Sequence, residues 1–191
     1  MFITITGNLG SGKSTICKLL CEWHGFVVYS TGSIHRSLAG QMGIGTLQLN
    51  ELMRGDIKYD RMIDGEVGRI ARERAGERII FDSRLAWHFV PKSFKIFTVV
   101  DPDVAARRVR AADRGAVEAY ASDEDAKSKL QERARAENAR FKEIYGINNL
   151  DFANFDLIID TTQRTPQELA ELVYAQYEAY CANPWTSPRR E

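Results

Sequence analysis

Apolar residues occur along the chain in short continuous blocks separated by longer segments of mixed polarity. Blocks with the length and the β-branched or aromatic content of strands lie at Phe2–Thr6, Phe26–Tyr29, Arg78–Phe81, Phe94–Val100 and Leu157–Ile159. Continuous rather than alternating apolar strands are typical of a parallel sheet that helices cover on both faces. Helical spacing between the blocks gives the order β-α-β-α-α-β-α-β-α-α-β-α. The pattern therefore predicts a three-layer α/β/α domain with a five-stranded parallel sheet.

The first predicted strand runs directly into the segment Gly7–Ser14, which reads GNLGSGKS, and a helical pattern follows it. Strand, glycine-rich turn and helix in this order are the context of a phosphate-binding loop, the Walker A motif. The glycines let backbone N–H groups approach phosphate oxygens, and the start of the helix adds partial positive charge. Lys13 supplies a full charge for the β- and γ-phosphates of ATP, and the Ser14 hydroxyl can ligate Mg²⁺. We expect the nucleotide to contact Gly7, Gly10, Ser11, Gly12, Lys13, Ser14 and Thr15.

Length and composition narrow the class of protein. The chain has 191 residues, which suits one domain, and it carries 26 Lys and Arg against 26 Asp and Glu. A balanced charge argues against nucleic acid or a membrane surface as partner. Three cysteines and a strand at the very start of the chain, where a signal peptide would lie, predict a cytoplasmic protein.

The segment between the second and third strands is longer than a simple crossover needs. It spans about fifty residues, whereas a plain helical crossover takes about a dozen. Helical patterns around Ile34, over Leu47–Met53 and over Tyr59–Arg74 indicate an insertion that covers or grips a ligand.

Charged residues follow the third strand directly. Asp82 ends that strand, and Arg84 comes two residues later. A carboxylate at the tip of a strand beside a phosphate loop can hold Mg²⁺ or its water, although capping a turn or helix is the alternative. We favour the metal role because the other parts of a phosphoryl-transfer site are already present.

Arginines are concentrated after the fourth strand. Arg107, Arg108 and Arg110 lie on one predicted helix, and the polar stretch Asp113–Asp125 then has the composition of a mobile lid. On the next helix, Arg133, Glu137 and Arg140 share one face because they stand at i, i+4 and i+7. This face is either a solvated, salt-bridged surface or a set of charges for a transferring phosphoryl group.

The C-terminal region contains a clearly predicted helix followed by a tail with little predicted structure. Thr165, Pro166 and Glu168 form the signature of a capping box with proline at the first helical position. The tail from Asn183 to Glu191 contains two prolines and ends in charge, so we expect it to be frayed, with Trp185 docking locally or marking a contact.

Taken together, these motifs resemble the nucleoside monophosphate kinases, which are P-loop NTPases, and within them the short cytidylate kinase-like group. The resemblance runs from Phe2 to about Cys181. It is carried by the phosphate loop and by STGSIHR at Ser30–Arg36, FDSRLAW at Phe81–Trp87, RFKEIYGINNLDFANFDLIIDTT at Arg140–Thr162 and the TPQEL helix start.

The resemblance implies roles for the matching positions. Thr31, Arg36 and Arg84 would bind the acceptor monophosphate, and Asp82 would position Mg²⁺ through water. Arg108 would contact the ATP phosphates, Thr161–Arg164 would pass close to the ATP base, and Arg133 and Arg140 would be the lid arginines. Glu137 would lie near the acceptor or orient those arginines. Gln41, Asp56, Asp60 and Asp64 are unranked candidates for reading the acceptor base.

The expected protein is therefore a single kinase domain over residues 1–182, with an acceptor-binding insertion at about 31–76, a small helical lid at about 113–135 and a flexible tail at 183–191. We expect it to phosphorylate CMP or dCMP with ATP and Mg²⁺, as a cytoplasmic monomer or weak dimer. The alternatives are a P-loop kinase for another small acceptor and a nucleotide-binding regulatory module.

Overall fold

The computed structural model describes residues 1–112 and 120–191, apart from the side chains of residues 47, 50 and 53–55. Within the predicted lid, residues 113–119 lie outside the described part of the chain. One parallel sheet organises the rest, in the strand order β2-β3-β1-β4-β5-β6. Its strands are β1 (Phe2–Gly7), β2 (Val27–Ser30), β3 (Ile79–Asp82), β4 (Ser93–Val99), β5 (Leu157–Asp160) and β6 (Arg189–Arg190).

The prediction of a five-stranded sheet is wrong, because the tail adds a sixth strand. Trp185 Nε1 donates to the Asp156 carbonyl over 2.8 Å, and the indole ring packs against the rings of Phe94 and Tyr180. Docked in this way, the tail runs along the open edge of β5, where Arg189 N donates to Asp156 O over 3.0 Å. The prolines and the charged end of the tail predicted fraying. They could not show that the backbone of β5 has an unpaired edge with which the tail forms hydrogen bonds.

The helices between the strands are α1 (Lys13–His24), α2 (Thr31–Gln41), α3 (Thr46–Gly55), α4 (Ile57–Glu73), α5 (Ala86–Phe89), α6 (Pro102–Ala111), α7 (Asp123–Tyr145) and α8 (Pro166–Ala182). Three of them lie between β2 and β3, at the three helical patterns of the predicted insertion, although the predicted order counts only two helices there. The boundary between the second and the third falls at Asp56, whose side chain accepts a hydrogen bond from Lys58 N over 2.8 Å and caps α4.

Local capping chemistry explains where several helices begin and end. The predicted capping box of α8 is confirmed: Glu168 N donates to Thr165 Oγ1 over 3.2 Å, and Thr165 N donates to Glu168 Oε2 over 2.8 Å. Gly146 ends α7 in the left-handed conformation, with φ +70°. Asp101 caps α6 by accepting from Asp103 N and Val104 N, with Pro102 at the first helical position.

Helices cover the sheet on both faces, as the continuous apolar strands predict. On one face α1 and α8 bury residues such as Leu20 and Val173 against Ile5 and Ile96. On the other face α2, α3, α4 and α5 pack against β3, and the end of α7 packs against residues of β4 and β5. Among the described residues, no helix is both long and apolar enough to span a bilayer. Because the strands are parallel, the loops that follow β1, β3, β4 and β5 meet along the carboxyl edge of one sheet.

Candidate active site

The phosphate-binding loop, Gly7–Ser14, is attached to the end of β4. Asn8 N donates to Thr98 O over 2.8 Å, and Ser11 Oγ lies 2.7 Å from Thr98 Oγ1. The Asn8 side chain contributes as well, because its Oδ1 accepts from Val100 N over 3.2 Å. Hydrogen bonds to a neighbouring central strand therefore hold the loop backbone in place before any phosphate arrives.

Two glycines of this loop have no room for a side chain. Gly7 has φ +143°, and a Cβ added there would lie 2.2 Å from Thr98 O. Gly10 has φ +78°, and its Cβ would lie 2.9 Å from Ala105 O. Both positions combine a backbone conformation that favours glycine with close contact to another backbone segment, so the loop geometry depends on glycine there.

Lys13, at the start of α1, turns back onto the loop. Its Nζ donates to Asn8 O over 2.9 Å and lies 3.3 Å from both Gly7 O and Ser11 Oγ. Burial lowers the pKa of Lys13 to about 8, with a further contribution from the Arg84 guanidinium that Asp82 partly opposes. A phosphate anion beside Nζ would favour the charged amine, so nucleotide binding and protonation of Lys13 are coupled.

Ser14 and Asp82 meet across the loop, where Ser14 Oγ donates to Asp82 Oδ2 over 3.3 Å. Asp82 ends β3 directly opposite Ile5 of β1 and Ser30 of β2. Leu85, and not Asp82, occupies the N-cap position of the helix that follows. A hydroxyl and a carboxylate beside a phosphate site are hard oxygen ligands, so these residues fit Mg²⁺ held together with nucleotide oxygens.

Glu137 joins two arginines from distant parts of the chain. Its Oε2 lies 3.0 Å from Arg84 Nε, and its Oε1 accepts from Arg133 Nε over 2.9 Å. Arg84 Nη1 also donates to the Gly7 carbonyl at the base of the phosphate loop. The carboxylate thus holds one guanidinium from the β3–α5 turn and one from α7 on the same side of the loop.

These groups surround one cavity of about 600 Å³, a volume typical of small-molecule sites. It brings together residues that the sequence analysis assigned to the donor, the acceptor and the metal. The predicted residues that line it are Gly10, Ser11, Gly12, Lys13, Ser14, Thr15, Thr31, Asp82, Arg84, Arg108, Arg133 and Glu137.

Of the residues predicted for the phosphates, the metal and catalysis, three are not among the described residues that line the cavity, and neither are the base-reading candidates Gln41, Asp56, Asp60 and Asp64. Gly7 contributes its carbonyl to Lys13 and Arg84 from the base of the loop. Arg36 is exposed on α2. Arg140 instead contacts Asp60 of α4, with its Nε donating to Oδ1 over 3.2 Å and its Nη2 donating to Oδ2.

Arg108 reaches the cavity while bound to the loop that follows β5. Its Nη2 donates to Thr161 O over 2.7 Å and to Thr162 O over 3.2 Å. The carbonyls of a strand-end loop therefore orient this guanidinium, which the resemblance assigns to the ATP phosphates.

Ser83 and Arg164 also line the cavity. No role was predicted for Ser83, and Arg164 was expected only as the end of the stretch Thr161–Arg164 near the ATP base. Both residues could have been predicted from their positions, because each follows the carboxyl end of a predicted strand, where ligands bind in parallel α/β folds.

The contact between Asp60 and Arg140 could not have been predicted from a local pattern, because the two residues are separated by 80 positions in the sequence.

The fold and the phosphate loop define the class of protein as a P-loop phosphotransferase. A crystal structure of shikimate kinase from Bacteroides thetaiotaomicron has the same fold, with a TM-score of 0.64, 16% identity and coverage of 93% of this chain and 98% of that one.

The model of the cytidylate kinase-like family matches residues 2–163, and the chain belongs to that family. It is 32% identical over 175 residues to a protein named cytidylate kinase from Sulfolobus acidocaldarius, covering 91% of this chain and 92% of that one. It is also 30% identical over 178 residues to a protein named S-adenosylmethionine-dependent nucleotide dehydratase from Lacinutrix mariniflava. That match covers 92% of this chain and 36% of the other protein.

Proposed function

We propose that the protein transfers the γ-phosphoryl group of ATP to a nucleoside monophosphate, with CMP or dCMP as the first candidates. The observation that carries the proposal is a single cavity that gathers cationic groups from separate parts of the chain. Lys13 comes from the phosphate loop at the start of α1, Arg84 from the β3–α5 turn and Arg133 from α7. Two mutually repelling anions can be held together in such a cavity, which agrees with the names of the cytidylate kinase relatives.

On the donor side, the loop N–H groups and Lys13 would bind the β- and γ-phosphates, and Arg108 would contact the ATP phosphates from the β5 side. Ser14 and Asp82 would hold Mg²⁺, the latter through water, and this ion would neutralise charge on the phosphate oxygens. The contacts of Lys13 with loop carbonyls support this role, since they hold its ammonium group against the loop whose N–H groups would bind the phosphates.

On the acceptor side, Arg84 is the residue best supported for binding the acceptor phosphate. Thr31 and Arg36 on α2 would complete that site, and Arg133 and Arg140 on α7 would stabilise the transferring group. Glu137 would orient Arg84 and Arg133, because its two carboxylate oxygens contact one guanidinium each. This arrangement favours the orienting role over direct contact between Glu137 and an anionic acceptor.

The chemistry needs positioning and charge stabilisation more than proton transfer. An oxygen of the acceptor phosphate is already ionised and forms the new bond to the γ-phosphorus. The bond from that phosphorus to the β–γ bridging oxygen breaks, and ADP leaves with the electron pair. Water must be excluded during this step, and we assign that task to the lid at about 113–135.

The proposed protein is a kinase domain at 1–182 with an acceptor-binding insertion at about 31–76. We propose that it is located in the cytoplasm and that it is a monomer or a weak dimer.

The test is an assay of ADP formation with CMP, dCMP, UMP, AMP, GMP, TMP and no acceptor. We expect at least one pyrimidine monophosphate, with CMP or dCMP fastest, to raise ADP formation well above the acceptor-free rate. Stimulation by none of them would reject the proposal and favour a kinase for another small acceptor. ATP hydrolysis that no acceptor changes would favour a nucleotide-dependent regulatory module.

A further inference from the structure

Helices α4 and α7 meet through polar side chains and have separate apolar cores. Ile63 and Val67 of α4 are buried with residues of α2 and β3. In α7, Leu130 is buried against α6, and Phe141 packs on a different cluster beneath β4 and β5. Phe89 of α5 packs against both of the clusters that flank this junction, and the direct contacts between α4 and α7 that bear on its geometry are polar.

Two such contacts lie one helical turn apart. Asp60 accepts two hydrogen bonds from the Arg140 guanidinium, and Asp64 Oδ2 accepts from Tyr145 Oη over 2.5 Å. Asp60 and Asp64 stand at i and i+4, so they lie on one face of α4. Burial raises the pKa of Asp64 to about 6, despite the Tyr145 hydrogen bond that lowers it. Two neighbouring carboxylates on this face therefore depend on α7 for donors.

The contact with Asp60 fixes Arg140, which lies about one helical turn after Glu137, the last α7 residue in the cavity wall. Arg133 and Glu137 line the cavity, and Arg140 continues the same helical face. The Asp60 side chain is only 15% exposed, against 41% for Arg140, so the rigid partner in this pair is the carboxylate on α4. Contact through two nitrogens fixes the plane of a guanidinium, whereas a single contact lets it rotate.

We propose that Asp60 is a positioning residue for Arg140: it holds the guanidinium about one helical turn beyond Glu137 of the cavity wall, and Asp64 supports the junction through Tyr145. The inference rests on the proposed function, because it assumes that Arg140 acts on the phosphoryl group or its acceptor. It makes the geometry of α7 depend on a helix of the acceptor-binding insertion, so Asp60 should affect acceptor turnover more than ATP binding.

The test is a double-mutant cycle with Asp60→Asn and Arg140→Met, assayed with the best monophosphate acceptor. We expect Asp60→Asn alone to lower kcat/KM for the acceptor about tenfold while the KM for ATP changes less than twofold. In the Arg140→Met background the same substitution should cost less than about twofold, because the residue through which it acts is absent. Asp60→Glu should recover most of the loss, and it keeps the cycle usable if the Asn variant folds poorly.

Asp103→Asn is the matched control. It breaks the ion pair of Asp103 with Lys127, which joins α6 to the other end of α7, and it should change kcat/KM less than twofold. Equal losses from Asp60→Asn in both backgrounds would overturn the positioning role, as would a parallel rise in the KM for ATP. If the wild-type protein phosphorylates no monophosphate, the proposed function fails and this inference fails with it. Additive losses in an active protein would overturn this inference alone.

Discussion

The two sides of the cavity are built in different ways. The proposed donor side is one continuous segment, Gly7–Ser14, whose backbone is fixed by hydrogen bonds to β4. The proposed acceptor side is assembled from side chains of the β3–α5 turn and α7 that Glu137 joins, and Asp60 of α4 contacts Arg140 beyond the cavity wall. A site formed by backbone groups keeps its shape when one side chain outside it is replaced. A site formed by side chains that hold one another in place changes when any one of them is replaced. Substitutions on the two sides should therefore affect different steps of the reaction.

The largest effect is expected from Lys13→Met on the donor side. Loss of the charge nearest the β- and γ-phosphates should lower kcat/KM by about 10³-fold, with and without acceptor. The fold should remain intact, because the hydrogen bonds of Nζ are confined to the loop itself. Steady-state kinetics and a thermal melt measure both properties. Lys18→Met is the control, since Lys18 is exposed on the same helix. A Lys13→Met variant with a tenth of wild-type activity would contradict the assignment.

The next effect concerns the backbone of the loop. Gly7→Ala should lower the free energy of unfolding by at least about 3 kcal/mol, because its Cβ would overlap the Thr98 backbone. Gly25 also has a positive φ, +69°, but it lies in the αL region that other residues can adopt at modest cost, and a Cβ added there would meet no atom within 4 Å. Gly25→Ala should cost only about 1 kcal/mol. Urea denaturation measures both values, and equal losses would show that crowding against β4 is unimportant.

A smaller effect is expected from Arg133→Ala on the acceptor side. We expect kcat to fall about 10²-fold, because a cation that faces the transferring group is lost. The free energy of unfolding should change by less than about 1 kcal/mol, since ion pairs at exposed positions contribute little. Arg135→Ala provides the control, because Arg135 lies on α7 away from the face of Arg133 and Glu137. Equal activity of the two variants would remove this face of α7 from the mechanism.

The last prediction is that the Kd for ATP depends on pH through the charge of Lys13. Lys13 has a pKa of about 8 in the free protein, and a bound phosphate should raise it. Above that pH the free protein must take up a proton to bind ATP, so the Kd for ATP should rise by up to about tenfold per pH unit. Below pH 8 the lysine is already charged and this contribution disappears. Titrations between pH 7 and 10 measure the slope, and Lys13→Arg should flatten it. A flat wild-type curve would contradict the coupling.

The same contrast explains how much could be predicted from the sequence. The phosphate loop and the five principal strands were predictable, because apolar blocks and glycine spacing are local patterns. The capping box at Thr165 and the end of α7 at Gly146 were also predictable from neighbouring residues.

Long-range contacts set the limit of that prediction. The sixth strand depends on Trp185 docking against Phe94 and Tyr180, and the anchoring of Arg140 depends on Asp60. The shared face of Arg133, Glu137 and Arg140 was visible in the spacing. Which partners that face meets depends on how α4 and the β3–α5 turn pack in three dimensions.

The most direct test of the central claim follows the phosphoryl group itself. ATP labelled with ³²P in the γ-position is incubated with the protein and CMP, and the products are separated by chromatography. A site that binds donor and acceptor together predicts label in CDP and little in inorganic phosphate, and Lys13→Met should form labelled CDP about 10³-fold more slowly. Label that appears only in inorganic phosphate, whichever monophosphate is supplied, would contradict a two-nucleotide site.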